Sequence, residues 1–167
     1  INTALRPEYG WNYELGLRWQ LPSGRWGAGV NYFRFMLQDA LVQRRDSSGA
    51  DFYTNAGGTR QQGIEAYTEY LHILPTANAL QLLRVKAAYT YNHFTYSGFV
   101  QLNSDFSGNT LPSVPAHTLS VMADIKWQSS FFVNTTYYTA SAIWLNDANT
   151  ARAKPYHLLG FKAGYGK

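Results

Sequence analysis

The chain has 167 residues, enough for a single domain, and it contains no cysteine, so disulfide frameworks and thiolate chemistry are excluded. Aromatic residues make up 16% of the chain and charged residues only 14%. No apolar run approaches roughly 18 residues, so a transmembrane helix is excluded, although alternating strands could still cross a membrane. The net charge of +4 is spread along the chain and forms no basic stripe interleaved with aromatics, which argues against nucleic-acid binding.

Two strands joined by a tight turn are predicted near the start of the chain. Apolar and polar residues alternate from 12 to 20, and the side chains of a strand point alternately to its two faces. The sequence LPSG then predicts a turn, with a proline that sets φ and a glycine that permits positive φ. A second strand is predicted from 25 to about 37, and its change of parity near Phe33 predicts a β-bulge.

Five further strands are predicted at 63–70, 82–91, 118–127, 131–138 and 156–165, which makes the chain all-β with about seven long strands. The hairpin at 118–138 is the clearest, because both of its arms alternate. Soluble strands most often have about five or six residues, whereas strands that cross a membrane need roughly nine to eleven. The long arms favour an antiparallel up-and-down transmembrane β-barrel segment, part of a larger barrel.

The connections between the predicted strands alternate in length. Those after the first, third and fifth strands are short (Leu21–Gly24, His72–Gln81 and Gln128–Ser130), and the other three are far longer. Outer-membrane barrels are built in this way, with brief periplasmic turns and extended outer loops. The alternation therefore predicts that the short turns and the long connections lie at opposite membrane surfaces.

Aromatic residues gather at the ends of the predicted strands, where a barrel carries its two interfacial girdles. In a soluble protein they would pack a core instead. The predicted membrane-interface residues are Trp19, Trp26, Trp127 and Phe131 beside the short turns, and Trp11, Tyr13, Tyr89, Tyr91, Tyr137 and Tyr138 at the opposite ends.

The charged residues of the predicted strands share the parity of the polar residues. An ionised side chain on the lipid face would cost about 2–4 kcal/mol near the midplane, so this parity is expected to face the lumen. The residues predicted to face the lumen are Glu14, Arg18, Glu65, Glu69, Arg84, Lys86, Asp124, Lys126 and Lys162. Such a lumen would be wet or filled by another folded element.

No catalytic or metal-binding constellation is evident in the sequence, and no cofactor is expected. The four histidines lie far apart without metal-ligand spacing, and they are expected at interfaces or in loops. Glu65 and Glu69 lie four residues apart on one face of a strand, which fits lumen residues better than the paired carboxylates of an acid–base catalyst. The chain is therefore predicted not to be an enzyme.

Four stretches occur in a fixed order along nearly the whole chain: LRPEYGWNYELGLRW, YTNAGGTRQQGIEAYTEY, GNTLPSVPAHTLSV and NDANTARAKPYHLLGFKAGY. Together they resemble the C-terminal barrel region of TonB-dependent outer-membrane receptors of the iron-complex or siderophore type. The resemblance implies a bacterial outer-membrane location. It also implies a part in the energised import of a ferric siderophore or a similarly scarce nutrient.

The resemblance further implies that some parts of such a receptor lie outside residues 1–167. The family's plug domain, its TonB-contacting segment and its last strands have no counterpart, so residues 1–167 are interpreted as a partial barrel domain of a longer precursor. Seven strands would fit the late part of a barrel of roughly 22 strands. The expected partners are the lipid bilayer with its lipopolysaccharide, the remaining barrel and plug, TonB, and a ferric chelate. Two unpaired edges would make the isolated segment self-associate.

Ligand binding is expected of residues in the outer loops and the upper lumen, because anionic chelates favour arginine and planar ligands favour aromatic rings. The candidates are Arg44, Arg45, Arg60, Tyr91, Trp144, Asn146 and Arg152.

Two other architectures remain open on the sequence alone. A small free-standing outer-membrane barrel, acting as an adhesin or structural protein, would need an eighth strand from residues 2–9 or 40–53. A soluble lipocalin-like ligand carrier would need its apolar parity inside, its charges in water and a short helix.

Overall fold

A computed structural model describes residues 4–45, 48–55, 57–75, 77–101 and 104–166, with only the backbone at 42–45. Within these ranges the regular secondary structure consists of β-strands, as the sequence predicts. In chain order the strands are β1 (Tyr9–Gln20), β2 (Trp26–Gln38), β3 (Leu41–Arg45), β4 (Asp51–Asn55), β5 (Gly58–Ile73), β6 (Leu80–Gly98), β7 (Val100–Gln101), β8 (Ser104–Asp105), β9 (His117–Trp127), β10 (Phe131–Ala140), β11 (Ile143–Trp144), β12 (Arg152–Ala153) and β13 (Tyr156–Tyr165).

Seven long strands form one antiparallel sheet in the order β1–β2–β5–β6–β9–β10–β13. Each pairs with the long strand before it and the long strand after it, which is the up-and-down arrangement that the sequence predicts. β5 and β6, with 16 and 19 residues, extend further towards the long connections than predicted, because polar runs at those ends hide the alternation. The sheet is open, since β1 and β13 form its edges and do not pair with each other.

The two ends of the sheet differ as the connection lengths predict. At the first short turn, Gly24 has φ 69° and donates its N–H to the carbonyl of Leu21 at 2.8 Å. At the opposite end, each long connection carries its own two-stranded sheet, formed by β3–β4, β7–β8 or β11–β12. β3 and β4 pair with each other and not with the main sheet, and residues 4–8 add no strand. The described residues therefore supply no eighth strand for a small closed barrel.

The register places the two parities of the sequence on opposite faces of the main sheet. Leu17, Val30 and Ala66 follow one another across β1, β2 and β5 on the apolar face. This face is exposed, with Leu15 at 76% and Leu17 at 74% of their full accessible surface. Among the described residues, the buried apolar side chains are Ala40, Phe99 and Ala140. An exposed apolar face without a core is the reverse of what a soluble lipocalin-like carrier needs.

The β-bulge predicted near Phe33 is wrong. β2 keeps a continuous register through this point, with Phe33 opposite Glu14 of β1 and opposite Gly63 of β5. The change of parity comes from residue type and not from backbone geometry, because Phe33 occupies the polar face and Arg34 the apolar face. The register shifts of the main sheet lie instead near the ends of β5 and β6.

A glycine allows a close cross-strand approach at the middle of the polar face. Gly29 in β2 lies directly opposite Tyr67 in β5. The Tyr67 ring covers this glycine, and a Cβ added at position 29 would collide with ring carbon Cε1. Such aromatic covering restores the packing that a strand glycine lacks. The phenol ring of Tyr67 therefore lies over Gly29 on the polar face.

Candidate functional site

All nine charged residues predicted to face the lumen lie on one face of the main sheet. Directly opposed residues of neighbouring strands share a face, and the register can be followed from β1 to β13 in this way. The residues concerned are Glu14, Arg18, Glu65, Glu69, Arg84, Lys86, Asp124, Lys126 and Lys162. That this face lines a lumen stays a prediction.

Glu69 is the centre of an ion-pair network on the polar face. Its Oε1 lies 3.1 Å from Nζ of Lys86 and 3.8 Å from Nε of Arg84. Nearby, the side-chain amide of Asn134 donates to Oδ1 of Asp124 at 2.7 Å. The side chains of Glu69, Arg84 and Lys86 keep 39–46% of their surface exposed, so each ion pair adds at most about 1 kcal/mol of stability. Together these contacts form a network of polar side chains of the kind found in protein interiors, although the sheet has no apolar core.

The polar face carries two hollows between its side chains. A concavity of about 480 Å³ lies over β1, β2, β5 and β6, with Glu14, Arg18 and Glu65 among its lining residues. A second, of about 410 Å³, lies over β6, β9 and β10 beside Arg84 and Lys126. Because hollows of this kind are expected on the inner side of a curved sheet, we infer that the polar face is the inner, concave face and the apolar face the outer, convex face.

The predicted aromatic girdle beside the short turns is assembled on the apolar face. The rings of Trp19 and Trp26 make an edge contact with centroids 4.9 Å apart, and those of Trp127 and Phe131 lie 5.3 Å apart. The indole N–H of Trp26 donates to Oγ1 of Thr68 at 2.7 Å. Each pair joins consecutive long strands across a turn. An aromatic band with one polar end in this position is typical of a membrane interface.

The other end of the apolar face carries the second aromatic group, with one exception. Its members on this face are Trp11, Tyr13, Tyr89, Tyr91 and Tyr137. Tyr138 lies opposite Ser120 and Leu158 on the polar face, so its assignment to the girdle is wrong. The reason is elementary, because adjacent residues of a strand point to opposite faces.

Hydrogen bonds join two long connections, 99–116 and 141–155, at the end of the sheet. Oδ1 of Asn149 accepts the N–H of Thr110 at 2.8 Å, and Nδ2 of Asn149 donates to the carbonyl of Thr110 at 2.9 Å. Oδ1 of Asp147 accepts the hydroxyl of Tyr96 at 2.7 Å, and its backbone carbonyl accepts the amide of Asn109 at 2.9 Å. The two connections therefore form a single platform.

The platform has a small apolar centre of its own. Phe99 retains only 1% of its accessible surface, and its ring lies 4.4 Å from that of Tyr96 and 5.7 Å from that of Phe106. The N–H of Phe106 donates to the carbonyl of Phe99 at 2.8 Å. Sequence reasoning missed this cluster. Its signal is an aromatic residue directly after the Ser–Gly that ends β6, within an otherwise polar stretch.

Three of the predicted ligand-binding residues lie together in the last long connection. Trp144 and Arg152 are opposite each other in β11–β12, and the guanidinium carbon of Arg152 lies 5.1 Å from the centroid of the Trp144 ring. Asn146 shapes the turn between them, because its Oδ1 accepts the N–H of Thr150 at 3.0 Å. Its Nδ2 also donates to the hydroxyl of Thr150 at 2.7 Å. The arrangement presents a ring and a fixed cation, which suit a planar anionic ligand.

The other four candidates do not join this group. Arg44 and Arg45 belong to β3 in the first long connection, and their side chains lie outside the described residues. Arg60 and Tyr91 lie on the apolar face of the main sheet. They therefore lie on the opposite face from the nine predicted lumen residues, and their part in ligand binding stays a prediction.

Polar contacts join the segment before β1 to the first long connection. Sequence reasoning also missed these contacts. Arg6 forms an ion pair with Asp39 at 2.6 Å. The side-chain amide of Asn55 accepts the N–H of Arg6 and donates to its carbonyl, each at 2.9 Å. Oε1 of Glu8 accepts the N–H of Leu41 at 2.6 Å. These partners are far apart in the sequence and do not recur at a regular spacing. No local sequence pattern therefore predicts the contacts.

The histidines occupy the ends of the apolar face, and their Nδ1 atoms lie within hydrogen-bonding distance of neighbouring side chains. The pairs are His72 with Tyr70 at 3.2 Å, His93 with Gln62 at 3.4 Å, His117 with Tyr89 at 2.8 Å and His157 with Tyr137 at 2.7 Å.

Within the described ranges no group of three or more metal-ligating side chains could hold a metal ion. In the same part of the chain no helix is long and apolar enough to span a membrane.

Residues 1–167, the whole chain, match the family model of the TonB dependent receptor-like β-barrel. The chain belongs to the TonB-dependent receptor family. It is 28% identical over 123 residues to the ferric-pyoverdine receptor PbuA of a Pseudomonas strain, which covers 73% of this chain and 14% of that receptor. Its fold is similar to that of the FrpB iron transporter from Neisseria meningitidis, with a TM-score of 0.72 and 15% identity over 99% of this chain and 24% of that one. The ferric yersiniabactin uptake receptor FyuA from Yersinia pestis gives a TM-score of 0.69 and 18% identity over 95% of this chain and 22% of that one.

This TonB-dependent receptor chain thus spans about a seventh of the length of the curated relative, and it spans under a quarter of the two solved receptors. The family match and the fold likeness together confirm the predicted outer-membrane β-barrel segment and its bacterial outer-membrane location.

Proposed function

We propose that this segment belongs to a receptor that imports a ferric siderophore or a similarly scarce nutrient across the outer membrane. Its relatives, which include receptors for ferric pyoverdine and ferric yersiniabactin, support this function. The observation that carries the proposal is the register of the main sheet. Over seven strands it keeps nine charged residues on the polar face and places exposed apolar residues such as Leu15 and Leu17 on the opposite face, where Arg34 and Arg60 are exceptions.

In this proposal the convex face meets lipid and the concave face lines the lumen. A concave face with ion pairs such as Lys86–Glu69 is suited to a hydrated or protein-filled interior. The rest of the receptor would supply the flanking strands and the plug that fills the lumen. TonB would supply energy through a segment outside this chain. The proposal includes no catalytic step and no resident cofactor.

The ligand would be held by the outer connections. Arg152 can donate charge-assisted hydrogen bonds to an anionic chelate, and the Trp144 ring can stack on a planar part of it. Asn146 holds the turn in which both lie. Arg44 and Arg45 remain proposed contacts from the first long connection, because they lie at the same end of the sheet.

Binding of ferric chelates to the full receptor that contains this segment tests the proposal. The panel should include ferric hydroxamate, catecholate and mixed-type chelates. Arg152→Ala should raise the Kd of the chelate that binds by about tenfold, because a hydrogen bond to a charged group contributes roughly 1.5–3 kcal/mol. Trp144→Ala should also raise this Kd, because it removes the ring that stacks on the chelate. Arg25→Ala is the matched control, since Arg25 is exposed in the first short turn at the opposite end.

The possible outcomes separate the function from the site. If the folded wild-type receptor neither binds nor imports any chelate in the panel, the proposed import function is contradicted. Unchanged affinity in both variants, while the wild-type receptor binds, contradicts only the assignment of Trp144 and Arg152.

A further inference from the structure

The buried residues of the described chain gather at the end of the sheet that carries the long connections. Among them are Ala40 and Thr59, with 9% and 7% of their surface exposed, and Phe99 with 1%. Ala140 lies at the same end of β10 and is 3% exposed. Elsewhere in the described chain, Gly63 is the one residue that is also buried. Because buried contacts resist local opening, this end is the part of the segment that is held most firmly.

The first long connection, residues 39–57, closes on itself beside the segment before β1. The N–H of Ala40 donates to the carbonyl of Gly57 at 2.9 Å, which joins the start of the connection to its end. Nδ2 of Asn55 donates to the carbonyl of Asp39 at 2.6 Å, and the carboxylate of Asp39 holds the segment before β1 through its ion pair. A displacement of Gly57 would therefore disturb the contacts of that segment as well.

Gly57 packs against the backbone of β6 at the point where that strand ends. It has φ 81°, and a Cβ added to it would collide with the carbonyl oxygen of Gly98 and lie 3.4 Å from the N atom of Phe99. The pairing of β5 with β6 skips Ser97 at this point, which makes Ser97 the extra residue of a β-bulge. The first connection thus contacts the backbone that leads directly into the buried Phe99 ring.

From Phe99 the contacts continue through the platform to the last long connection. The N–H of Phe99 donates to Oγ of Ser107 at 3.1 Å, in addition to the ring contacts described above. Further along the second connection, the N–H of Ser113 donates to the carbonyl of Trp144 at 2.8 Å. A continuous set of contacts therefore leads from the segment before β1, through the first and second connections, to the last one.

We propose that the segment before β1 and the three long connections form one cooperative unit, which opens and closes together and is coupled at the contact between Gly57 and Gly98. Two distant sites are coupled when both bias the same two-state element between them. The ligand contacts proposed in the first and last connections are then formed and lost together, and this consequence rests on the proposed import function. The coupling itself depends only on packing, so it is measured without any ligand.

Amide hydrogen exchange of the ligand-free full receptor, resolved by mass spectrometry with fragmentation, tests the coupling. Gly57→Ala should accelerate exchange at Phe106 and Thr110 in the second connection by at least about tenfold, because the new Cβ displaces the backbone before Phe99. Gly49→Ala is the matched control. Gly49 lies in the same connection with φ 87°, but a Cβ added there meets nothing within 4 Å. This control should change exchange only in the β3–β4 hairpin.

The reverse experiment starts from the second connection. Phe99→Ala should accelerate exchange at Ala40, whose N–H is bonded to Gly57, by at least about tenfold, because coupling between two sites is reciprocal. Val100→Ala is the control for this change, since Val100 is the next residue but is 66% exposed. It should leave exchange at Ala40 unchanged. Heat-modifiability on a gel establishes that each variant is folded before its exchange is measured.

Two results would overturn the proposal. The first is an effect of Gly57→Ala that stays within the first connection, as expected of Gly49→Ala. The second is unchanged exchange at Ala40 in Phe99→Ala. Either result would mean that the connections open independently of one another. Neither measurement involves a chelate, so a failure of the coupling is distinguishable from a failure of the proposed import function.

Discussion

Asn149 holds Thr110 by both backbone hydrogen-bonding groups of that residue, although 39 positions separate them in sequence. The amide side chain imitates one rung of an antiparallel ladder between two connections that share no strand. Asn149 itself has φ 53°, a left-handed conformation that asparagine adopts more readily than most residues. The pair therefore couples the connection that carries Trp144 and Arg152 to its neighbour.

Asn149→Ala should uncouple these two connections. The change removes both hydrogen bonds and places alanine in a left-handed conformation, so the contact should weaken by about 1–3 kcal/mol. Amide exchange at Thr110 and Ser113, measured by mass spectrometry on the folded receptor, should accelerate at least about tenfold. Asn78→Ala in the second short turn is the control and should affect only its own turn. Unaltered exchange at Thr110 would show that the pair does not hold the platform together.

Gly29→Ala should destabilise the barrel, because its new methyl group collides with the Tyr67 ring. Overpacking of this kind costs roughly 1–3 kcal/mol, measurable as a lower urea midpoint for unfolding of the reconstituted receptor. Gly29→Ala combined with Tyr67→Ala should recover part of this loss, since the colliding ring is gone. Simple additivity of the two single changes would mean that the ring does not restrict position 29.

The isolated chain of 167 residues should self-associate when refolded in detergent micelles. β1 and β13 are open edges of the main sheet, and unpaired strand edges pair with other strands. Sedimentation should show dimers or larger species, whereas a complete receptor that pairs both edges with its own strands should not associate through them. A stable monomer with rapid amide exchange along β1 and β13 would contradict this prediction.

Asp105 should make the β7–β8 hairpin sensitive to acid. Hydrogen bonds from the hydroxyl and then from the backbone N–H of Ser107, the latter at 2.8 Å, hold the pKa of Asp105 below its usual value of 3.8. A carboxylate with a depressed pKa stabilises the folded form above its unfolded pKa, and this contribution disappears as the pH falls through the lower folded pKa.

Titration of Asp105 by NMR of its carboxyl carbon should therefore give a midpoint below 3.8. Amide protection at Ser107 should decrease over the same acidic range. Asp105→Asn should remove that pH dependence. A midpoint at or above the usual value would show that Ser107 does not hold the carboxylate.

Sequence reasoning recovers the features that repeat with a short period and misses those that do not. The alternation of apolar and polar residues predicts the seven long strands and the common face of residues such as Lys86 and Asp124. The alternation also predicts a β-bulge near Phe33 and Arg34, where the strand has none. In the sequence, a parity change caused by residue type looks the same as a β-bulge. Contacts such as Asn149 with Thr110 leave no local signal, since a single polar side chain in a loop has many possible partners.

A cysteine scan along β9 tests the central claim that alternate residues of this sheet face lipid and lumen. The chain has no cysteine, so single substitutions at Ser120, Val121, Met122 and Ala123 of the full receptor can each carry a fluorophore as the only label in this segment. The structure predicts strong quenching by lipid-borne nitroxides at positions 121 and 123, and little at positions 120 and 122. The reverse pattern, or equal quenching at all four positions, would contradict the account.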